Sequence, residues 1–349
     1  MPKRTLEDSP AQLVEGGALR FGSFRDPIRR PNLIDAASPF GFPMPRPLRA
    51  FRLKEWQAMQ IGNGRLFMNI ALFNTKVMAM VQVKIFDRET GEKHLFEKLV
   101  PGFAFKVAEG LYDTKTHYQD RKVDFAFENH LERGELLVRL KIPKTRSFPG
   151  VEGALRLDTS KTEPQIVSIP FGERRGMYSH KGLFPVTGAL TIGGEAHPFT
   201  NEDGYAFIDD HKGYYDYQMS WDWLTGGEHR PDGSLVGINI TKNASVDPER
   251  YHENCFWRDG KLSLLPHIRF EMVDRGGERE VWHIRDEEGR VDLRFEVTLQ
   301  SDVRINALII ESRYRGPFGK IYGKLEGVDG ERLELDGMFG MGEEFRLRV

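Results

Sequence analysis

The stretch that decides the fold is Ala206–Gly227, AFIDDHKGYYDYQMSWDWLTGG. After Gly213 its residues alternate. Tyr215, Tyr217, Met219, Trp221 and Trp223 fall on one face, and Tyr214, Asp216, Gln218, Ser220 and Asp222 on the other. A period of two sustained over ten residues is the pattern of a β-strand. An aromatic face opposite a polar one suits the wall of a barrel, with one face lining a cavity. Just ahead, Asp209-Asp210-His211-Lys212-Gly213 has good turn chemistry, because an Asp side chain can bond its own backbone. Read as extended chain, the same residues put Asp209 and His211 on one face. There a carboxylate can orient an imidazole for proton transfer, with Asp210 as the adjoining acid.

Outward from this stretch the chain reads as strand after strand. Leu66–Asn74 and Val77–Phe86 are separated by a short turn, and Asp87–Gly91 forms a hairpin loop. Val123, Phe125 and Phe127 alternate with polar residues, and so do Leu136, Val138, Leu140 and Ile142. Further on, Leu235–Thr241 puts Val236, Ile238 and Ile240 inward, and Val291–Leu299 alternates strictly. The count is roughly fifteen to eighteen short strands at the 8–12-residue spacing of all-β sandwiches and barrels. The segment around Trp56 is ambiguous between strand and short helix, and no long amphipathic helix is expected. Proline and arginine punctuate residues 1–50, which read as an extended arm packing Phe21, Phe24, Phe40 and Phe42 onto the core. The expected division is an arm (1–50), a first barrel (51–170) and a second barrel (171–349), with His-Lys-Gly recurring at His180 and His211.

Composition narrows the function classes. Lys and Arg number 50 against 52 Asp and Glu, so charge gives nucleic-acid or anionic-membrane binding no support. No apolar run is long enough for a membrane span, and the N-terminus has no secretory signal pattern. Cys255 stands alone, which excludes an internal disulfide and fits a reducing, cytoplasmic setting.

The motifs LVEGGALRFGSFRDPIRRPN, LKEWQAM, YSHKGLFPVTG, DDHKGYYDYQMSWDWLTGG, GINIT, YHEN and the closing YGKLEG and FGMGEE together resemble the domain-of-unknown-function family 2804 (DUF2804) over nearly the whole chain. That family is similar to tandem lipocalin-like proteins of the carotenoid 1,2-hydratase and tocopherol cyclase type. The resemblance implies two antiparallel calycin barrels packed together and a cavity for a lipophilic molecule. It brings no settled activity.

For the chemistry, His211, Asp209 and Asp210 are the acid–base candidates. Trp56, Tyr215, Tyr217, Trp221 and Trp223 are read as aromatic cavity walls, whose faces can stabilise a developing cation by roughly 0.5–2 kcal/mol each. His180, Asn239, Glu253 and Asn254 join the substrate-binding set as polar residues in apolar or turn-rich surroundings. A two-His, one-carboxylate metal site from His180, His211 and Glu253 lacks any ligand spacing, and a satisfied buried histidine is the better reading. No cofactor and no metal are expected. Gly337, Gly340 and Gly342 do not lead from a strand into a helix, so they are read as a bend before the last strand. The expected function is binding of a small lipophile such as an isoprenoid, polyketide or fatty-acid derivative, with cofactor-free hydration, isomerisation or cyclisation as the expected chemistry. The alternatives are a non-catalytic lipophile-binding protein and a carbohydrate-active β-protein with paired carboxylates.

Overall fold

A computed structural model describes residues 4–307 and 310–348. Strands make up 58% of the chain and helices 4%. The alternation read from the sequence produces two antiparallel sheets. The first runs in the order Lys93–Pro101, Met78–Asp87, Leu66–Asn74, Leu53–Gly62, Tyr205–Tyr214, Gly176–Ile192, Val151–Asp158, Glu135–Ile142, Asp124–His130 and Thr114–Gln119. The second runs Lys261–Leu264, Cys255–Arg258, Leu235–Lys242, Gln218–His229, Arg332–Arg348, Phe318–Glu326, Val291–Leu299, Val281–Arg285 and Arg269–Val273. Each sheet curls about its own apolar core. In the first, Val100 and Tyr118 from opposite edges meet Met59, Ile70, Phe125 and Ile208. In the second, Leu224, Ile238, Trp282, Phe295 and Met338 gather in the same way.

The sequence reading put the division between barrels at residue 170, yet Gly176–Ile192 and Tyr205–Tyr214 lie at the centre of the first sheet. There Tyr205–Tyr214 pairs with Leu53–Gly62 on one side and Gly176–Ile192 on the other. The sheets part instead between Tyr214 and Gln218. Residues 171–175, just past that expected boundary, form a tight turn inside one sheet, where the Phe171 N–H donates to the Arg175 carbonyl at 2.8 Å.

Three local readings are decided by the strand pairing. The Trp56 segment is a strand. Asp209–Gly213 is a fully buried piece of strand rather than a turn, because both its edges are paired. Arg332–Arg348 is one strand with a bulge at Gly337, which stands at φ 83° as the extra residue between Asp336 and Met338, so the bend read there is present within the strand rather than before it. Gly340 and Gly342 serve close approach: a Cβ on Gly340 would lie 2.4 Å from the Thr225 carbonyl oxygen, and one on Gly342 would lie 2.6 Å from the Trp282 ring. The arm does pack on the first sheet. Phe24 is wholly buried with Leu13, Ile28 and Leu33, and Gly22–Phe24 pairs with Gln165–Pro170. Phe42, expected inside, is 54% exposed.

Strand parity sets what each face does. In Tyr205–Tyr214 the even residues Ala206 and Ile208 enter the first core. The odd residues Tyr205 and Phe207 face the other way, against Gly227 and Gly237 of the second sheet. In the second sheet Leu224 and Ile238 point inward, and Trp223 and Thr241 point outward. The two sheets therefore meet through their outer faces, and both interiors are packed with side chains.

Candidate functional site

The cavity lies in that seam. It has a volume of about 230 Å³, and residues of both sheets line it. The first sheet contributes Trp56, Ala58, Asp209, His211 and Lys181, and the second contributes Trp221, Trp223, Thr241, Glu343 and Phe345. Tyr215, in the short link between the sheets, closes one side. Aromatic rings form the walls. Trp56 stacks on His211 with centroids 3.9 Å apart and planes within 8°, and it faces Trp221 at 5.6 Å. Trp221 packs on Phe345 at 4.3 Å. Rings at such spacings contribute beyond their buried area.

The indole nitrogens anchor each wall to a polar partner. Trp56 Nε1 donates to Asp209 Oδ2 at 3.0 Å, Trp221 Nε1 to Glu343 Oε1 at 2.5 Å and Trp223 Nε1 to Asn239 Oδ1 at 2.7 Å. Lys181 Nζ donates to Asp209 Oδ1 at 2.7 Å, sits 3.8 Å from Glu253 Oε1 and lies 5.0 Å from the Trp223 ring centroid. His211 Nε2 and the Tyr215 hydroxyl share a hydrogen bond.

Burial sorts the protonation states. It pushes the His211 pKa down to about 3, more than the nearby Asp209 charge offsets, so the imidazole is neutral at neutral pH. Burial raises the Tyr215 hydroxyl well above its ordinary range. Burial would also raise Asp209, but the Lys181 charge and the hydrogen bonds to Lys181 and Trp56 outweigh it and hold the carboxylate below its usual range. Glu253 is raised by burial despite Lys181. Glu343 is raised by burial as well, against hydrogen bonds from Trp221 and Tyr314 and the charge of Lys84. The seam thus holds an ionised Asp209–Lys181 pair, a neutral His211–Tyr215 pair and two carboxyl groups displaced toward the protonated form.

The sequence-predicted residues divide by parity. Trp56, Asp209, His211, Tyr215, Trp221, Trp223 and Glu253 come together at the cavity. Asp210 does not. It shares the face of the core residue Ile208, and Lys212 Nζ clasps both its oxygens at 2.7 and 2.8 Å. His180 lies directly across from Asp210, so it too points into the first sheet, away from His211, which rules out a shared metal site for the two histidines. Asn239 and Asn254 stand behind the wall. Asn239 braces Trp223 and donates to the Glu253 carbonyl at 2.8 Å, and Asn254 Oδ1 accepts from the Thr241 N–H at 2.7 Å. Tyr217 is 49% exposed and precedes the strand that was expected to carry it. Lys181 and Glu343 are the residues missed. Each is a charge on the outward parity of an otherwise apolar face, Lys181 between Met177 and Leu183 and Glu343 beside Phe345 and Leu347. Read by parity, that pattern would have flagged both. Among the described residues no group of three His, Cys, Asp or Glu stands in metal-binding geometry.

The sequence profile of DUF2804, a domain of unknown function, matches residues 4–349. No curated protein matches the chain in sequence. Among solved structures, CghA with Sch210972 superposes with a TM-score of 0.54 at 12% identity, covering 85% of this chain and 88% of that one. CghA alone gives 0.51 at the same identity and coverage. Kievitone hydratase from Nectria haematococca gives 0.43 at 12% identity over 85% of this chain and 89% of its own. The CghA matches support the tandem lipocalin-like fold.

Proposed function

The chain belongs to the DUF2804 family, and from that premise we propose that it takes a small lipophilic molecule, such as an isoprenoid, polyketide or fatty-acid derivative, into the seam between its sheets. The observation that carries this reading is the stack of Trp56 on His211, facing Trp221, with buried titratable groups set into the same aromatic walls. The chemistry is cofactor-free acid–base work. Glu343, held toward its protonated form, gives a proton to an alkene or carbonyl of the ligand, and the indole faces stabilise the cation that forms. Water then adds to the cation and gives up a proton to the Glu343 carboxylate, restoring the acid, or the neutral His211–Tyr215 pair removes a proton from a neighbouring carbon and passes it to solvent, from which Glu343 is reprotonated. These outcomes are hydration and isomerisation, and an internal alkene attacking the cation gives cyclisation. Asp209 and Lys181 neutralise each other and position Trp56. CghA, which shares the fold, is crystallised with Sch210972. The unpaired Cys255 supports a cytoplasmic setting.

A non-catalytic binding protein is the second reading. It is favoured by the fact that Asp209, His211 and Glu343 already hold partners within the protein. The carbohydrate reading has less support, because Met78, Met80, Phe345 and Leu347 make much of the lining apolar. Native mass spectrometry of protein purified from its own host tests the proposal: a retained lipophile is expected, and repeated recovery of empty protein would overturn it. With a ligand in hand, Glu343→Gln separates the two readings. The enzyme reading expects binding kept and turnover lost, whereas the binding-protein reading expects no turnover by the unmodified protein.

A further inference from the structure

At one end of the seam the apolar lining gives way to buried polar atoms with no hydrogen-bond partner. Gln165 leaves both ends of its carboxamide unpaired, and Ser179 Oγ, Thr241 Oγ1 and Arg4 Nη2 are unpaired too. Glu253 Oε1 joins them at the limit of contact: Lys181 Nζ at 3.8 Å is beyond hydrogen-bond reach, and the Ser179 hydroxyl is near enough to temper the rise that burial gives the carboxyl's pKa. All five side chains are at least nine-tenths buried, from 0% exposure at Ser179 to 5% at Thr241.

They share one place. Gln165 lies directly across from Lys181, which lies across from Asp209, and in the next row Ser179 lies across from His211. Cross-strand partners share a face, so this face is the one that lines the seam. From the second sheet, Thr241 and Glu253 line the same cavity. Arg4 reaches in behind them, its Nη1 donating to the Asn254 carbonyl at 2.8 Å. Buried polar groups are ordinarily paired, and leaving several unpaired together is costly. Thr241 and Glu253 reach the cavity wall, with Gln165, Ser179 and Arg4 behind them outside its lining, and such a concentration marks a place that a polar partner completes.

The inventory specifies that partner. Arg4 Nη2 and the Gln165 amide nitrogen donate, Gln165 Oε1 and Glu253 Oε1 accept, and the Ser179 and Thr241 hydroxyls do either. Lys181 and Asp209 neutralise each other, and Glu253, displaced toward its protonated form beside the Arg4 guanidinium, can donate as well as accept. We propose that this end of the seam binds a neutral, hydroxyl-bearing head group, so that the ligand is an amphiphile with an alcohol or diol terminus and not a plain hydrocarbon or a carboxylate. The proposal rests on the lipophile-binding reading and adds the chemistry of the ligand's polar end.

The test is calorimetric or fluorescence titration of the full chain with four probes of equal chain length: decane, decanol, a vicinal decanediol and decanoate. The alcohol and the diol should bind about tenfold or more tighter than decane and decanoate at neutral pH, a difference of about 1.4 kcal/mol. Ser179→Ala and Thr241→Val should narrow the diol-to-decane ratio toward one. In the unliganded protein each should leave the melting temperature unchanged or raised, because each removes an unpaired polar atom. A lowered melting temperature with the probe ratio intact would assign these hydroxyls to structure and overturn the proposal. Equal binding of decane and diol, or tightest binding of decanoate, would overturn the head-group site and leave the lipophile reading standing. Failure of all four probes to bind would remove both.

Discussion

Asp209 is a buried carboxylate with two partners, Trp56 and Lys181, on two other strands, and its neighbour Asp210 is another with one partner, Lys212, on its own strand. Removing one member of a buried pair leaves an uncompensated charge, which costs about 3–5 kcal/mol. Asp209→Asn should therefore lower stability by about that much in urea denaturation, through Lys181; a loss under about 1 kcal/mol would mean that Glu253 takes over as the counter-ion. The imidazoles predict a pH dependence. His180 and His211 both have pKa values pushed down to about 3 by burial, from 6.5 when exposed. The unfolded chain takes up these protons as pH falls below about 6.5, and the folded chain refuses them until about 3. The stability they contribute is therefore complete above 6.5 and declines toward 3, by up to about 1.4 kcal/mol per pH unit for each imidazole. Asp210 works in the opposite sense. Burial raises its pKa to about 6, so its contribution is complete below its unfolded pKa of 3.8 and is lost as pH rises through 6. Between about 4 and 6 it offsets one imidazole; Glu253 and Glu343, raised by burial, act in the same sense as Asp210, and His252, lowered by burial, acts in the sense of the other imidazoles. Thermal melts from pH 7 to 4 should show a declining midpoint, and His211→Gln should flatten the decline; a profile unchanged by that substitution would contradict a neutral buried His211.

The strands of the seam carry a second kind of information, in their glycines. Gly237 lies under Phe207, and a Cβ there would come within 2.5 Å of the Phe207 ring and 2.8 Å of Leu183. Gly227 receives the rings of Tyr205 and Phe207 in the same way, at 3.0 Å. The aromatic residues of one sheet thus sit in shallow depressions made by the glycines of the other. Gly237→Val should cost about 1–3 kcal/mol by overpacking and weaken ligand binding with it, since it pushes the sheets apart; a variant with the stability of the parent protein would show that the seam yields. Much at this scale was legible in advance. Strict alternation gives Val291–Leu299 and Leu235–Lys242 because one face of each is a core. The hairpin at Asp259-Gly260 follows from two residues with positive φ, 49° and 80°. What misled was turn chemistry inside strands. Asp209–Gly213 has the composition of a loop, but its polar groups find partners on the strands beside it, and only pairing partners distant in sequence reveal that. The location of the cavity was hidden for the same reason. Alternation separates two faces but does not tell an interior from a seam when both are buried.

For the whole molecule, circular dichroism should be dominated by β signal, with helix near the 4% of the structure and far below the roughly 30–35% of an average globular protein. A helix signal at that average would be incompatible with the fold. Truncation distinguishes the two proposed places of division. A fragment of residues 1–170 lacks the two central strands of the first sheet, and so should be molten or insoluble. A fragment of residues 1–216 keeps that sheet complete and should fold better, though with its seam face exposed to water; dispersed amide spectra from the shorter piece would argue against this. The parity of Tyr205–Tyr214 has a consequence for how such a protein changes over generations. Its even positions answer to the first sheet's interior, and its odd positions divide, Tyr205 and Phe207 answering to the contact between sheets and Asp209 and His211 to the cavity. A lineage drifting toward a new ligand can rewrite His211 without touching Ala206 or Ile208, whereas Phe207 and Asp209 are tied to the packing of the sheets and to the Lys181 charge. Saturation mutagenesis across these ten positions, scored once for soluble yield and once for ligand retention, should show yield sensitive at Ala206, Ile208, Phe207 and Asp209, and ligand retention without loss of yield sensitive at His211.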